Sequence, residues 1–202
     1  MVQGDADLIE TLARFKRAFE TRAADPDWHP SEEGVREDLA VALRSALGQP
    51  TDSIHYEHPF GASRIDLWVA PSRQAIEVKF HRPIRSGHSR PLTQQYGALL
   101  ADCQKLASAD AADRLVVLVT DRAGATHLAN KGQLPSSTGG EPCLVGTMEV
   151  EKLPTTAVGF LSYSGPWIPI SVELIWRASG GPWMFFAWRI GVQHPATGMR
   201  AV

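Results

Sequence analysis

The run Arg114 to Thr120 (RLVVLVT) constrains this chain more than any other feature. A strand with one wet face alternates apolar and polar residues. An unbroken run of Leu and Val does not, and reads as a strand buried on both faces. Such a strand belongs inside a sheet that is covered on either side. Taken with the order helix, three strands, helix, strand in the segments around it, the expected fold is α/β with a mixed central sheet flanked by helices. At 202 residues, with 44% hydrophobic side chains, the chain is long enough for one such domain and an extension.

The flanking segments supply the cover. Asp7 to Thr21 spaces Leu8, Leu12, Phe15 and Phe19 as a helix face, and Asp25-Pro26 and His29-Pro30 end it. Ser31 is placed to cap a second helix, which runs to Leu47 on a stripe of Val35, Leu39, Leu43 and Leu47. Gly48 and Pro50 stop it. Strand-like runs follow at Ile54 to His58, Ser63 to Ala70 and Gln74 to Phe80. Pro71-Ser72-Arg73 joins the last two as a tight hairpin. A third helix is expected from about Thr93 to Ser108, striped with Leu92, Tyr96, Leu99, Cys103 and Leu106. Beyond Asp121 the sequence reads as β-rich. Ser136 to Glu141 is a loop, and strand-like runs lie at Leu144 to Val150, Val158 to Tyr163, Ile170 to Arg177 and Trp183 to Val192. The expected organisation is an N-terminal helix (1–30), a core (31–120) and a β-rich C-terminal extension (121–202) packed on the core.

Several function classes find no support. No stretch approaches the roughly 20 apolar residues of a membrane helix. Asp5, Asp7 and Glu10 near the start do not form an export signal. Cys103 and Cys143 lack metal-ligand spacing and fit free thiols in a reducing cytoplasm. The scattered histidines form no zinc motif, there is no phosphate-binding glycine loop, and Ser162 and Ser164 lack a nucleophile-elbow pattern. With a net charge of −2, any contact with nucleic acid has to be a local basic patch.

The hairpin carries the chemistry. On its first strand Ile65, Leu67 and Val69 are expected on one face and Arg64, Asp66 and Trp68 on the other. On its second, Ile76, Val78 and Phe80 oppose Ala75, Glu77 and Lys79. A tight hairpin then sets Asp66 beside Glu77 and Lys79. Asp is disfavoured within a strand, so its presence there calls for a reason. Two converging carboxylates call for a cation, and oxygen donors suit Mg²⁺ or Mn²⁺. The Val78 carbonyl is a candidate third oxygen. Lys79 is placed to orient or deprotonate a water, or to stabilise charge on a phosphate. Glu32 has two readings: it points from the edge of its helix stripe toward the metal, or it is an acid in the first turn, suited to the helix dipole.

These pieces resemble the PD-(D/E)xK nuclease superfamily, with its restriction-endonuclease-like fold. The matching residues are Asp66, Glu77 and Lys79 within RIDLWVAPSRQAIEVKF. Glu32 matches the further acid that family members often carry on the preceding helix. Gln94 and Gln95 in LTQQYGALLADCQKL match the polar position on the following helix, and Gln95 is the better fit. The likeness spans residues 31 to 120, and Ile65 stands where the proline of the family's name would be. The resemblance implies a Mg²⁺- or Mn²⁺-dependent deoxyribonuclease, an endonuclease rather than an exonuclease, acting on DNA rather than RNA in defence or repair. Its metal ligands would be Asp66, Glu77 and the Val78 carbonyl, with Lys79, Glu32 and Gln95 completing the catalytic set. Arg82, Arg85, His88 and Arg90 form the basic segment that would contact the phosphate backbone. Trp167, Trp176, Trp183 and Trp188 would form a second apolar core, stack on bases or line a contact between subunits. A homodimer or a partner protein meeting residues 144 to 192 is expected. The alternative function is a non-catalytic nucleic-acid-binding or assembly subunit that keeps the fold.

Overall fold

Apolar spacing places the first two helices. Leu8, Leu12, Phe15 and Phe19 are all buried along α1 (Gln3–Ala23), which starts a turn earlier than the spacing requires. In α2 (Glu32–Leu47) Val35, Leu39 and Leu43 are buried. Ser31 is extended, and its hydroxyl accepts the Gly34 N–H at 3.1 Å. Gly48 closes the helix at φ 57°, a left-handed conformation that glycine adopts without Cβ strain, and donates its N–H to the Arg44 carbonyl. The cap sits one residue before Glu32. Ser31→Ala should therefore cost about 1 kcal/mol, read as a lower denaturant midpoint. An unchanged midpoint would show that other contacts hold this helix end.

The computed structural model describes residues 3–48, 51–81, 92–131, 146–148, 168 and 170–192. The strands are β1 (Ile54–Phe60), β2 (Ser63–Val69), β3 (Gln74–Phe80), β4 (Asp113–Asp121), β5 (Gly146–Met148), β6 (Ile170–Gly180) and β7 (Trp183–Val192). Helix α3 (Leu92–Ser108) links β3 to β4, and α4 (Arg122–Lys131), which the sequence reading did not anticipate, follows β4. The described strands form one seven-stranded sheet in the order β1-β2-β3-β4-β7-β6-β5. It is mixed, as expected. Only β3 and β4 run parallel, which requires the α3 crossover; the other neighbours are antiparallel. Pro59 is tolerated because β1 lies at the sheet edge.

Strand β4 is buried on both faces. Leu115, Val117 and Val119 pack with α1 and α2, whereas Val116 and Leu118 pack with α3. The strands expected at Ile170 to Arg177 and Trp183 to Val192 belong to this same sheet, with β7 paired to β4. Trp183 is buried on the α1/α2 side and Trp188 on the α3 side. Phe19 anchors the α1/α2 side, meeting Trp28, Trp183 and Phe185 edge to face at 5.1 to 5.5 Å. No helix among the described residues is long and apolar enough to cross a membrane. The expected strand at Val158 to Tyr163, the loop at Ser136 to Glu141 and the basic segment from Arg82 to Arg90 lie outside the described residues.

One expectation about the hairpin needs correction. Ile65, Leu67 and Val69 do not share a face. Ile65 is buried on the α3 side, while Leu67 and Val69 are buried on the α1/α2 side. The change of face falls where β1 and β2 leave a gap in their pairing. Pairing of β1 with β2 runs from Ile54↔Val69 to Tyr56↔Leu67 and resumes at His58↔Ile65, skipping Glu57 and Asp66. Glu57 has φ 50°, an uncommon value for a side-chain-bearing residue. The register is the same on either side of this gap, so the change of face between Ile65 and Leu67 is a local break in the two-residue alternation on which the sequence reading relied.

Candidate active site at the open edge of strand β3

Strands β2 and β3 pair only from Val69↔Gln74 to Leu67↔Ile76. On its other side β3 stays paired with β4 as far as Phe80↔Val119. Past Ile76, therefore, β3 has an edge that β2 no longer covers. Backbone N–H groups there still need acceptors, and two side chains supply them. Asp66 Oδ2 accepts the Val78 N–H at 2.8 Å, and Glu32 Oε2 lies 3.4 Å from the Phe80 nitrogen. In an extended strand the N–H and C=O of one residue point the same way, so the Val78 carbonyl faces this opening too. Arg36 of α2 reaches in from the helix side. It pairs with Glu57 and lies 3.4 Å from Asp66 Oδ1, joining the two residues where the β1–β2 pairing skips.

Glu77 and Lys79 point from β3 toward α3. Glu77 is only 1% exposed, and the Lys105 ammonium lies 2.7 Å from its Oε1. Lys79 Nζ lies 3.1 Å from Asp102 Oδ2 and 3.5 Å from Glu32 Oε1. Lys105 is also 3.5 Å from Asp102 Oδ1. Asp102 therefore bridges the two lysines. Four carboxyl groups (Glu32, Asp66, Glu77 and Asp102) surround two ammonium groups, while Arg36 is shared with Glu57.

This crowding shifts the titrations. Burial pushes the Glu77 carboxyl up to about 9, with Asp102 and Asp66 adding repulsion and Lys105 only partly offsetting them. Burial alone would lower the Lys79 ammonium, but Asp102, Glu32, Asp66 and Glu77 outweigh it and hold Lys79 well above the usual lysine range. His81, buried at the end of β3, is lowered to about 4 by burial and by Lys79, so it is neutral at pH 7 and adds no cation. Cys103 is a buried free thiol whose pKa burial raises, which suits an inert core residue.

The structure thus brings together Asp66, Glu77, Lys79 and Glu32. Of the two readings of Glu32, it shows the carboxylate reaching the end of β3, from the first residue of α2. Gln95 lies on α3, seven residues before Asp102, but its side chain is outside the described set. Arg82, Arg85, His88 and Arg90 are outside it altogether. Sequence reasoning missed Asp102, Lys105 and Arg36. A signal for two of them existed: Asp102 and Lys105 adjoin the buried stripe of Leu99, Cys103 and Leu106, where charge is costly unless paired.

Among the described residues, no group of three or more His, Cys, Asp or Glu side chains is arranged to hold a metal ion. Mg²⁺ asks for less, since one or two carboxylates suffice when water and substrate phosphate complete its shell. Asp66, Glu77 and the Val78 carbonyl are donors of the types such an ion takes. The buried Glu77 Oε1 also lacks an aligned hydrogen bond despite its contact with Lys105. No protein-family model matches this chain, and neither does any curated protein or any solved structure.

Proposed function

We propose that this chain is a metal-dependent nuclease that hydrolyses phosphodiester bonds in DNA. The observation that carries this reading is the open edge of β3, where carboxylates take the place of backbone partners beside a buried Glu and a charged Lys. Asp66 and Glu77, with the Val78 carbonyl, would hold Mg²⁺ or Mn²⁺. The chemistry a bound divalent ion supplies is polarisation of the phosphodiester and acidification of the attacking water. The chain's own groups do the rest. Lys79, kept protonated by its acidic neighbours, stabilises charge on the phosphate rather than acting as a base. Glu32 and Asp102 fix the lysine's position. Arg36 orients Asp66 from the α2 side.

The test is cleavage of supercoiled plasmid and of single-stranded DNA with Mg²⁺ or Mn²⁺, comparing wild type with Asp66→Ala. Wild type should nick the plasmid, and Asp66→Ala should lose both cleavage and the rise in Tm that the metal causes. Cleavage by Asp66→Ala at the wild-type rate would move the active site elsewhere.

A second reading has its own support. Glu77 already has Lys105 against it, and no ready-made cluster of three metal ligands is present among the described residues. Both facts favour a nucleic-acid-binding or assembly subunit that retains the architecture without the chemistry. DNA binding with neither Mn²⁺ binding nor cleavage would select it. In either case a homodimer or partner contact within residues 144 to 192 is our proposal, tested by light scattering.

A further inference from the structure

Lys105 on α3 plays no part in the reaction just described, yet its ammonium lies inside the site, against the buried Glu77. Three oxygens from three elements enclose it: Glu77 Oε1 at 2.7 Å, the Arg64 carbonyl at 2.9 Å and Asp102 Oδ1 at 3.5 Å. Two carboxyl groups and a backbone carbonyl are the donor types that hard cations select. Of these three oxygens, Glu77 Oε1 is buried without an aligned hydrogen bond, so the ammonium sits against it without satisfying it. The Lys105 side chain is 17% exposed, on a flexible four-carbon stem, so its charged end can withdraw toward solvent without moving α3. Asp102 would still be held by Lys79 after that withdrawal.

We propose that Lys105 is a built-in cation that occupies the place at Glu77 taken by a divalent ion during turnover, so that metal binding requires its ammonium to swing out. The inference rests on the metal-dependent reading above. It makes Lys105 a positioning residue that sets the affinity for metal.

Calorimetric titration of Mn²⁺ into wild type, Lys105→Met and Lys105→Arg tests it without any need for activity. Lys105→Met should bind Mn²⁺ at least about tenfold more tightly, because no ammonium has to be displaced. Lys105→Arg should show no gain. If Lys105→Met does not fold, Lys105→Gln serves the same titration. In Lys105→Ala, methylammonium should enter the vacated cage and weaken Mn²⁺ binding, whereas tetramethylammonium, which is too large and has no donor, should not. Mn²⁺ binding that is equal or weaker in Lys105→Met while wild type still binds overturns this inference and leaves the nuclease reading intact. Equal effects of the two ammonium ions also overturn it. No Mn²⁺ binding by either wild type or Lys105→Met overturns the metal-dependent reading itself, and this inference with it.

Discussion

Glu77→Gln is expected to stabilise the fold and abolish metal-dependent cleavage at the same time. Burial holds the folded carboxyl at about 9 against an ordinary value of 4.5. Between those pH values the folded chain keeps a proton that the unfolded chain has released, so this group makes stability fall as pH rises. Gln has no proton to lose, and its carbonyl can still face Lys105. The stability gap between variant and wild type should therefore be small near pH 5 and widen toward pH 9, where it is on the order of a few kcal/mol and is read as a higher Tm for the variant. The same substitution removes the carboxyl that would give up its proton to bind metal, so Mn²⁺ should no longer raise Tm and plasmid nicking should stop. Calorimetry across that pH range decides the first part. A variant less stable than wild type at the alkaline end would mean that Glu77 is ionised in the fold and firmly paired with Lys105.

Lys79→Ala should lower kcat by about 10²–10³-fold, the usual effect of removing one charge-stabilising donor from an active site. Mn²⁺ binding should survive or tighten, because a cation beside the carboxylates is gone. Lys79→Arg should recover part of the rate, since the positive charge matters more than the proton. Its neighbours Asp102, Glu32, Asp66 and Glu77 hold Lys79 charged above the ordinary lysine range. The rate profile should accordingly show no limb from lysine titration at neutral or mildly alkaline pH. Single-turnover kinetics against pH would check this. A rate that climbs through that range in wild type and stays flat in Lys79→Ala would make the lysine a base and overturn the cationic role.

Much of the architecture was legible in local patterns. The unbroken apolar run of Arg114 to Thr120 announced a strand buried on both faces, and β4 is one. The alternation in Gln74 to Phe80 gave β3 its bounds, and Ser31 and Gly48 marked the ends of α2 by side-chain and backbone chemistry that is local to each. The proximity of Asp66, Glu77 and Lys79 followed from two strands and one short turn, because a hairpin's register spans few residues.

Tertiary structure decided the remainder. The order β3-β4-β7-β6 depends on strands far apart in sequence finding each other, and no periodicity within a strand names its neighbour. The change of face at Ile65 coincides with the skip at Glu57 and Asp66 and with Arg36 arriving from α2 to join the two acids; nothing in IHYEHPF marks a left-handed Glu57. Asp102 and Lys105 read as ordinary charged positions at the edge of a helix stripe until α3 is laid against β3, where they meet Glu77 and Lys79. Spacing along the chain determines what a segment can become. Burial and the sum of surrounding charges, which determine what a side chain can do, arise only when segments pack. Both lysines and Glu77 therefore acquired their chemical character from the tertiary fold.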